Sequence, residues 1–463
     1  MSVHPAKTEA DGARREQHRG SLLPSAGACG LLALLLIADL VVGARTFFIP
    51  HARGDQRMYV GLAMKLDRGG MASYNLRQIA LTHRGPFLIY TNSSEGQQLL
   101  GLLATEGTPY YDQPLFHQPP LFPLMIVGAH RVYAADQPYA VLATTFPTAR
   151  LVSRADRFVA QDYACIVPLL SGLLLVVCCF ALGKLLFNDT VGLVAALLLS
   201  VSPAFIQASQ RIWADTMFGL FVALTFLFIH LYAERGKTVY LLLSSVSLAL
   251  SLLTKNYAAL TLVPFTLTCG LVVCARQDRR NAAIGLVASL LVVALLTLPW
   301  YWLLTRTLGS PWFGPRPARI DAASVWLAYL KAKPWYTYLV GIPCQAPAYL
   351  FGFGTMVGFA FTAKRKIDAI SLSSWFLCYL AALTYITWHD ETLGPEHRYM
   401  LPAYPALAIL SGLGLVNARD FLATRIGATV ATLIVSLALL GSVAWSLWVA
   451  AQFLNADVIN LPF

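Results

Sequence analysis

Long apolar runs separated by short polar loops recur along most of the 463-residue chain. A run of about 20 apolar residues crosses the hydrocarbon core of a bilayer as a helix. The pattern therefore predicts an all-α polytopic membrane protein with about eleven transmembrane helices. The predicted spans are about 27–48, 163–183, 188–208, 214–233, 239–254, 257–275, 281–303, 338–362, 368–388, 399–417 and 426–452.

Two stretches depart from a simple series of spans. The run from Pro119 to Tyr133 has only about 15 residues, which is short for a crossing. We expect an interfacial or re-entrant helix there, inside one long outer loop over about 49–162. The region from Val239 to Ala275 is too long for one crossing and is interrupted at Thr254-Lys255-Asn256. It predicts two short helices that meet at the outer surface.

Composition supports this class, because 57% of the residues are hydrophobic and only 12% are charged. A water-soluble domain and the collagenous, disordered and disulfide-rich secreted classes are excluded. The net charge of +11 does not indicate nucleic acid, since the basic residues lie in short clusters between apolar runs. The cysteines lack metal-ligand or redox spacing and are interpreted as small core residues.

The basic clusters predict the orientation. If Arg14, Arg15 and Arg19 hold the N-terminus in the cytoplasm, every basic short loop falls on the cytoplasmic side. The chain then divides into a cytoplasmic tail over 1–26, a transmembrane region over 27–417, and a last helix with a short outer tail over 418–463. We expect an integral protein of the plasma (inner) membrane.

In this orientation, unusual ionisable residues near span ends gather on the outer side. They are Asp55, His117, Asp215, Lys255 and Arg398. A charge within a membrane segment costs about 3 kcal/mol on insertion scales, which makes each a functional candidate. Each residue also has an ordinary structural interpretation. The two carboxylates could cap helices, and the two cations could extend from a helix end to water as snorkelling side chains. His117 could simply belong to a proline-rich start of a helix.

Together these residues form a chemically coherent set. A carboxylate can take a proton from an acceptor hydroxyl, while lysine and arginine can neutralise a phosphate. Two carboxylates and two cations facing one aqueous compartment indicate group transfer from a lipid-linked phosphate at the membrane surface.

The order of motifs then resembles a known family. Asp55 follows the first span, and it is followed by His117-Gln118-Pro119-Pro120-Leu121, Arg211 to Asp215-Thr216, Leu253-Thr254-Lys255, Leu298-Pro299-Trp300 and Arg398-Tyr399-Met400-Leu401-Pro402. This succession is similar to that of the GT-C-fold glycosyltransferases related to protein O-mannosyltransferases and the lipid A aminoarabinose transferase. The resemblance covers about 27–417, which would be a GT-C-like catalytic region.

The resemblance implies an enzyme that transfers a sugar from a polyprenyl-phosphate donor to a lipid, glycan or protein acceptor on the non-cytoplasmic, periplasmic side. Asp55 would be the general base or acceptor-orienting group for inverting attack. Asp215 would orient the acceptor or stabilise charge on the sugar. Lys255 and Arg398 would stabilise the leaving polyprenyl phosphate.

His117, Gln118 and Arg211 are assigned to the substrate pocket on the same basis. Gln118 departs from the aminoarabinose branch, which has a lysine there. Gln56 stands where many relatives carry a second acid. The resemblance implies no certain cofactor, and whether a divalent cation takes part, and which residues would hold a metal, stays open. Pro138 to Asp156 has no counterpart in the family and is either an acceptor-specificity element or a plain insertion.

Two other functions also fit a polytopic chain. A transporter or lipid flippase usually has its site near the bilayer midplane, between broken helices of repeated halves, and no repeat is visible here. A non-catalytic binder of polyprenyl-phosphate sugars needs the cations more than a base, so retention of both Asp55 and Asp215 favours the transferase.

Overall fold

The computed structural model describes residues 24–48, 55–74, 118–134, 162–276, 278–308, 334–362, 366–389 and 396–454. These parts of the chain are helical and contain no β-strand, as the apolar pattern predicts. The helices are α1 (Ala26–Gly43), α2 (Asp55–Gly69), α3 (Leu121–Tyr133), α4 (Asp162–Leu186), α5 (Asp189–Ser200), α6 (Pro203–Ser209), α7 (Asp215–Arg235), α8 (Thr238–Leu252), α9 (Leu262–Ala275), α10 (Arg279–Leu308), α11 (Thr337–Gln345), α12 (Tyr349–Thr362), α13 (Lys366–His389), α14 (Tyr404–Ile426) and α15 (Ala428–Leu454). Short 3₁₀ helices are formed by Ala44–Phe48, Gly70–Ser73, Asn256–Thr261 and His397–Ala403.

A helix or a pair of helices lies at each predicted span. Among the described residues, 8 helical segments are long and apolar enough to cross a membrane, or 9 if α5 and α6 count as one bent span. Helix α8 has 15 residues and so reaches only about 22 Å. The polytopic all-α class is therefore confirmed, whereas the count of eleven full spans is not.

Two spans predicted as continuous helices are instead broken at proline. Helices α5 and α6 are bent by 67°. Proline restricts the residue before it to extended backbone, and Ser202, which precedes Pro203, has a ψ of 126°. In the same way Ala346, before Pro347, has φ −144° and ψ 88° and separates α11 from α12. In each case the hydropathy pattern predicts one continuous span, because the residues around the break are themselves mostly apolar.

The predicted interruption around Lys255 is confirmed. Helix α8 ends at Leu252 and the next helical turn begins at Asn256, with Lys255 between them in extended backbone at φ −147° and ψ 138°. The short run after Pro119 also forms a separate helix, α3, of 13 residues. That both features lie at the outer surface stays a prediction.

Buried apolar side chains form two clusters. The larger one fills the space among α4, α5, α7, α8 and α14. The second cluster joins α2 and α3 to the first turns of α4, the start of α7 and the end of α10. Its members include Ile212, Ala214 and Met217, which flank Asp215 in sequence. Trp213, Tyr257 and Tyr399 pack against the larger cluster, so the chain around Asp215 lies where the two clusters meet.

Close helix contact requires a glycine where α5 crosses α4. A Cβ atom on Gly192 would lie 2.6 Å from the carbonyl oxygen of Phe180, closer than side-chain carbons approach backbone. Gly183 of α4 lies opposite, since a Cβ there would be 2.9 Å from the Cα of Gly192. Small residues allow such contact between membrane helices.

We expect Gly192→Leu to separate α4 from α5 and to destabilise the protein by about 1–3 kcal/mol or more, the usual effect of overpacking. Gly270→Leu is the matched control, because a Cβ on Gly270 of α9 meets no atom within 4 Å. Thermal unfolding of both variants in detergent provides the comparison. Equal unfolding temperatures for the two would contradict the prediction.

Candidate functional site

Asp215 is the first residue of α7 and is fully buried. It does not cap the helix: Ala214 is in the cap position and makes no side-chain cap bond. The Asp215 carboxylate instead accepts hydrogen bonds at Oδ1, from Lys255 Nζ at 2.6 Å and from the Tyr257 hydroxyl at 3.3 Å. The second oxygen, Oδ2, is buried and has no hydrogen-bond partner among the described residues. A buried acceptor without a partner is uncommon, and this oxygen can still accept one hydrogen bond from a donor that the described residues do not supply.

Lys255 belongs to the same buried group. Only 8% of its side chain is exposed, and its ammonium is paired with Asp215. The Nζ atom lies 5.3 Å from the ring centroid of Tyr257 and 5.6 Å from that of Tyr399. A snorkelling lysine would extend its ammonium to water, so this interpretation of Lys255 does not fit.

Arg398 reaches the site from the 3₁₀ helix His397–Ala403. This helix is held by the Trp375 indole, which donates to the carbonyl of Pro402 at 3.0 Å. The Arg398 guanidinium is buried, with its Cζ 4.0 Å from the ring centroid of Trp213 and 5.2 Å from that of Tyr399. Its Nε atom forms an ion pair with Glu396.

Tyr399 connects the two cations, because its ring lies within 6 Å of both the Lys255 ammonium and the Arg398 guanidinium. The structure thus brings together three predicted site residues that are separated by up to 183 positions in the sequence: Asp215, Lys255 and Arg398. We call these three charged residues, with Trp213, Tyr257 and Tyr399, the charged-aromatic cluster.

Gln118 lies next to the chain segment that carries Lys255. The Leu121 backbone N–H donates to the carbonyl of Leu253 at 2.9 Å, which joins the turn before α3 to the end of α8. The side-chain oxygen of Gln118 accepts a hydrogen bond from the Tyr59 hydroxyl at 2.8 Å. The backbone carbonyl of Gln118 accepts one from the Tyr74 hydroxyl at 2.6 Å. Burial raises the pKa of Tyr74 well above its ordinary value, so this phenol remains a donor.

The other predicted residues are described in part. Asp55 begins α2, whose buried residues Tyr59 and Leu62 belong to the same cluster as Ala214, but its side chain lies outside the described residues. His117 and the Pro138 to Asp156 segment lie outside them as well. Arg211 is half-buried in the turn before α7.

The turn that carries Arg211 is held against the first span. The side-chain amide of Gln210 donates to the backbone carbonyl of Val42 at 2.8 Å. The Thr46 hydroxyl donates to the backbone carbonyl of Gln210 at 2.9 Å. Arg211 follows in this turn and lies four positions before Asp215; its assignment to the substrate pocket stays a prediction.

The described part of the site offers few ligands for a divalent cation. Among the residues that the structure describes, no group of three or more His, Cys, Asp and Glu side chains could hold a metal ion. Oδ1 of Asp215 already faces the Lys255 ammonium, and a second cation at that oxygen would be repelled by it. The Asp215 and Lys255 geometry therefore favours a neutral hydrogen-bond donor over a metal at Oδ2.

Sequence reasoning missed the aromatic half of the cluster. Each charged member has an aromatic residue close to it in the chain: Trp213 comes two positions before Asp215, Tyr257 two after Lys255, and Tyr399 directly after Arg398. This spacing was the available signal. Glu396, the ion-pair partner of Arg398, was also not predicted.

Comparison with known proteins agrees with this architecture. Residues 158–302 match the family model described as dolichyl-phosphate-mannose-protein mannosyltransferase. The matched part runs from the start of α4 into α10 and contains Asp215 and Lys255, but not Arg398. Among curated proteins, none matches the sequence.

Solved membrane transferases are similar over almost the whole chain. ArnT from Cupriavidus metallidurans in the apo state gives a TM-score of 0.55 at 15% identity, covering 93% of this chain and 70% of that one. Its complex with undecaprenyl phosphate gives 0.52 at 15% identity, covering 90% and 75%. The archaeal oligosaccharyltransferase AglB from Archaeoglobus fulgidus, in complex with an inhibitory peptide and a dolichol-phosphate, gives 0.58 at 14% identity, covering 91% of this chain and 55% of that one.

Sequence identities of about 15% to these solved structures show a shared fold alone. The match to the mannosyltransferase family model is a relationship in sequence, and it covers about a third of the chain. The resemblance seen in the order of motifs is thereby confirmed: this chain has the GT-C fold of membrane glycosyltransferases and is similar to the protein mannosyltransferases and ArnT.

Proposed function

We propose that this protein is a glycosyltransferase that moves a hexosyl or pentosyl group from a polyprenyl-phosphate donor to an acceptor hydroxyl on the outer face of the membrane, with inversion. The observation that carries the proposal is the meeting of Lys255 and Arg398, from distant parts of the chain, beside a buried carboxylate. Two cations at one place suit a phosphate, which arginine binds as a fork and lysine as a point charge.

The donor phosphate would lie between the two cations. An ammonium has three N–H donors, so Lys255 can keep its bond to Asp215 and still donate to a phosphate oxygen. The complexes of ArnT with undecaprenyl phosphate and of AglB with a dolichol-phosphate support a lipid phosphate as the ligand.

In the proposed reaction, the acceptor oxygen attacks the anomeric carbon while the bond from that carbon to the phosphate oxygen breaks. Asp55 takes the hydroxyl proton, and the electron pair of the broken bond leaves with polyprenyl phosphate. Lys255 and Arg398 stabilise the charge that develops on this leaving group. Asp215, through Oδ2, accepts a hydrogen bond from a hydroxyl of the sugar or of the acceptor.

The proposed site faces the outer side of the plasma membrane, with the N-terminus in the cytoplasm. The basic short loops support this orientation. The acceptor belongs to the lipids, glycans or protein hydroxyls that reach that surface.

The test uses purified protein in lipid nanodiscs with a panel of polyprenyl-phosphate sugars. Release of free polyprenyl phosphate is followed with and without acceptors from membrane extracts. We expect release with at least one donor, and a decrease of at least about tenfold in Arg398→Gln, because a buried charged partner is lost. Arg425→Gln is the control, since Arg425 is an exposed residue at the far end of α14.

Each other result points to a different function. Donor binding without release under every acceptor fraction would identify a binder that does not transfer. Equal release by wild type and Arg398→Gln would remove this cluster from the reaction.

A further inference from the structure

The contact between Trp213 and Arg398 differs from an ordinary surface pair. The Arg398 Cζ lies 4.0 Å from the Trp213 ring centroid, and the arginine is only 6% exposed. By comparison, Arg306 lies 5.1 Å from the ring centroid of Trp302 in α10, where both side chains are exposed. A cation on an aromatic face gains more when it is desolvated, so the buried contact is the stronger one.

The described contacts of the guanidinium include one at its ring side and one at its edge. The Trp213 ring lies against it, with Cζ 4.0 Å from the ring centroid, and Glu396 pairs with Nε. A face contact sets the plane of the group, and an edge contact sets its rotation within that plane. Recognition of a phosphate by two parallel N–H bonds needs both to be set in advance.

Trp213 is itself held firmly. Its backbone N–H donates to the carbonyl of Arg211 at 2.7 Å, and its neighbours Ile212 and Ala214 are fully buried. The Trp213 side chain packs against the larger apolar cluster, so the indole is supported where it meets a side chain from a distant part of the chain.

We infer that Trp213 is a positioning residue for donor recognition: its indole holds the Arg398 guanidinium in the plane needed to bind a lipid-linked phosphate. The inference rests on the proposed function and assigns a role to a residue that touches the arginine and not the reacting atoms. Trp213 would act through Arg398, on donor affinity and also on the rate of the bound complex, because Arg398 is proposed to stabilise the leaving phosphate.

The test is a double-mutant cycle on binding of undecaprenyl phosphate to the full chain in nanodiscs. We expect Trp213→Leu to weaken binding about 3- to 30-fold, the range of a desolvated cation–π contact, and Trp213→Phe to weaken it less. In an Arg398→Gln background, Trp213→Leu should cause no further loss. Trp302→Leu is the matched control and should bind as wild type.

A second measurement separates positioning from general damage. In turnover assays Trp213→Leu should raise the KM for the donor and lower kcat in the wild-type background, whereas in the Arg398→Gln background it should change neither any further. If Trp213→Leu does not purify as folded protein, the cycle is run with Trp213→Phe, where the same lack of additivity is expected.

The outcomes distinguish this inference from the proposed function. Additive losses in the cycle, or no loss in Trp213→Leu, would overturn the inference while Arg398→Gln still weakens binding. If Arg398→Gln itself binds undecaprenyl phosphate as wild type does, the donor site is wrong, and the inference is overturned together with it.

Discussion

Lys255→Met is expected to weaken donor binding at least about tenfold and to destabilise the protein by about 3–5 kcal/mol, the cost of removing one partner from a buried ion pair. Lys255 Nζ lies 2.6 Å from Asp215 Oδ1, and Asp215 is fully buried. Without the ammonium, the carboxylate would keep the Tyr257 hydroxyl at 3.3 Å as its partner at Oδ1. Donor binding by titration with undecaprenyl phosphate, together with thermal unfolding, measures both effects.

A paired substitution separates the two losses. In Asp215→Asn with Lys255→Met the uncompensated charge is removed, so most of the stability should return. Donor affinity should not return, because the ammonium that we propose as a phosphate ligand is still missing. Donor binding at the wild-type level in Lys255→Met would show that Lys255 serves only to neutralise Asp215.

The second large effect is expected for Asp55→Asn. The substitution removes a proton acceptor and keeps the shape of the side chain, so transfer should fall about 10²- to 10⁴-fold while donor binding stays near that of the wild type. The measurement is release of polyprenyl phosphate in the presence of acceptor, beside a donor titration.

Asp67→Asn is the matched control, since Asp67 lies on the same helix α2 and pairs with the exposed Arg131 at 2.6 Å. An exposed pair of this kind contributes little, and we expect turnover near wild type. Comparable turnover in Asp55→Asn and wild type would remove Asp55 from the mechanism.

The fold could be predicted well where hydropathy alone decides it. A membrane-spanning helix must satisfy its backbone internally and face apolar surroundings, so each apolar run indicates a helix. The break at Lys255 was also visible, because a charge between two apolar runs interrupts the pattern. The bend before Pro203 and the break before Pro347 were missed, since both lie within apolar runs.

The site could be predicted as a set of residues but not as a geometry. Unusual charges in membrane segments identified Asp215, Lys255 and Arg398. Their pairing depends on how α7, the end of α8 and the 3₁₀ helix His397–Ala403 pack together, which no local pattern contains. The ion pair between residues 40 positions apart therefore had to come from the structure.

The aromatic residues of the cluster were missed for a different reason. Aromatic side chains are common at the ends of membrane helices, where they sit at the interface. Trp213 and Tyr399 therefore have an ordinary explanation in the sequence, and only the structure shows their contacts with Arg398.

Each cation of the cluster already has its own acid: Asp215 for Lys255 and Glu396 for Arg398. These four side chains therefore carry no net formal charge, so a phosphate that binds between the two cations adds negative charge beside two carboxylates that remain in place. In the proposed reaction, the same repulsion acts on the lipid phosphate after transfer. Carboxylates that stay bonded to both cations would then favour product release and would limit inhibition of the site by its own leaving group.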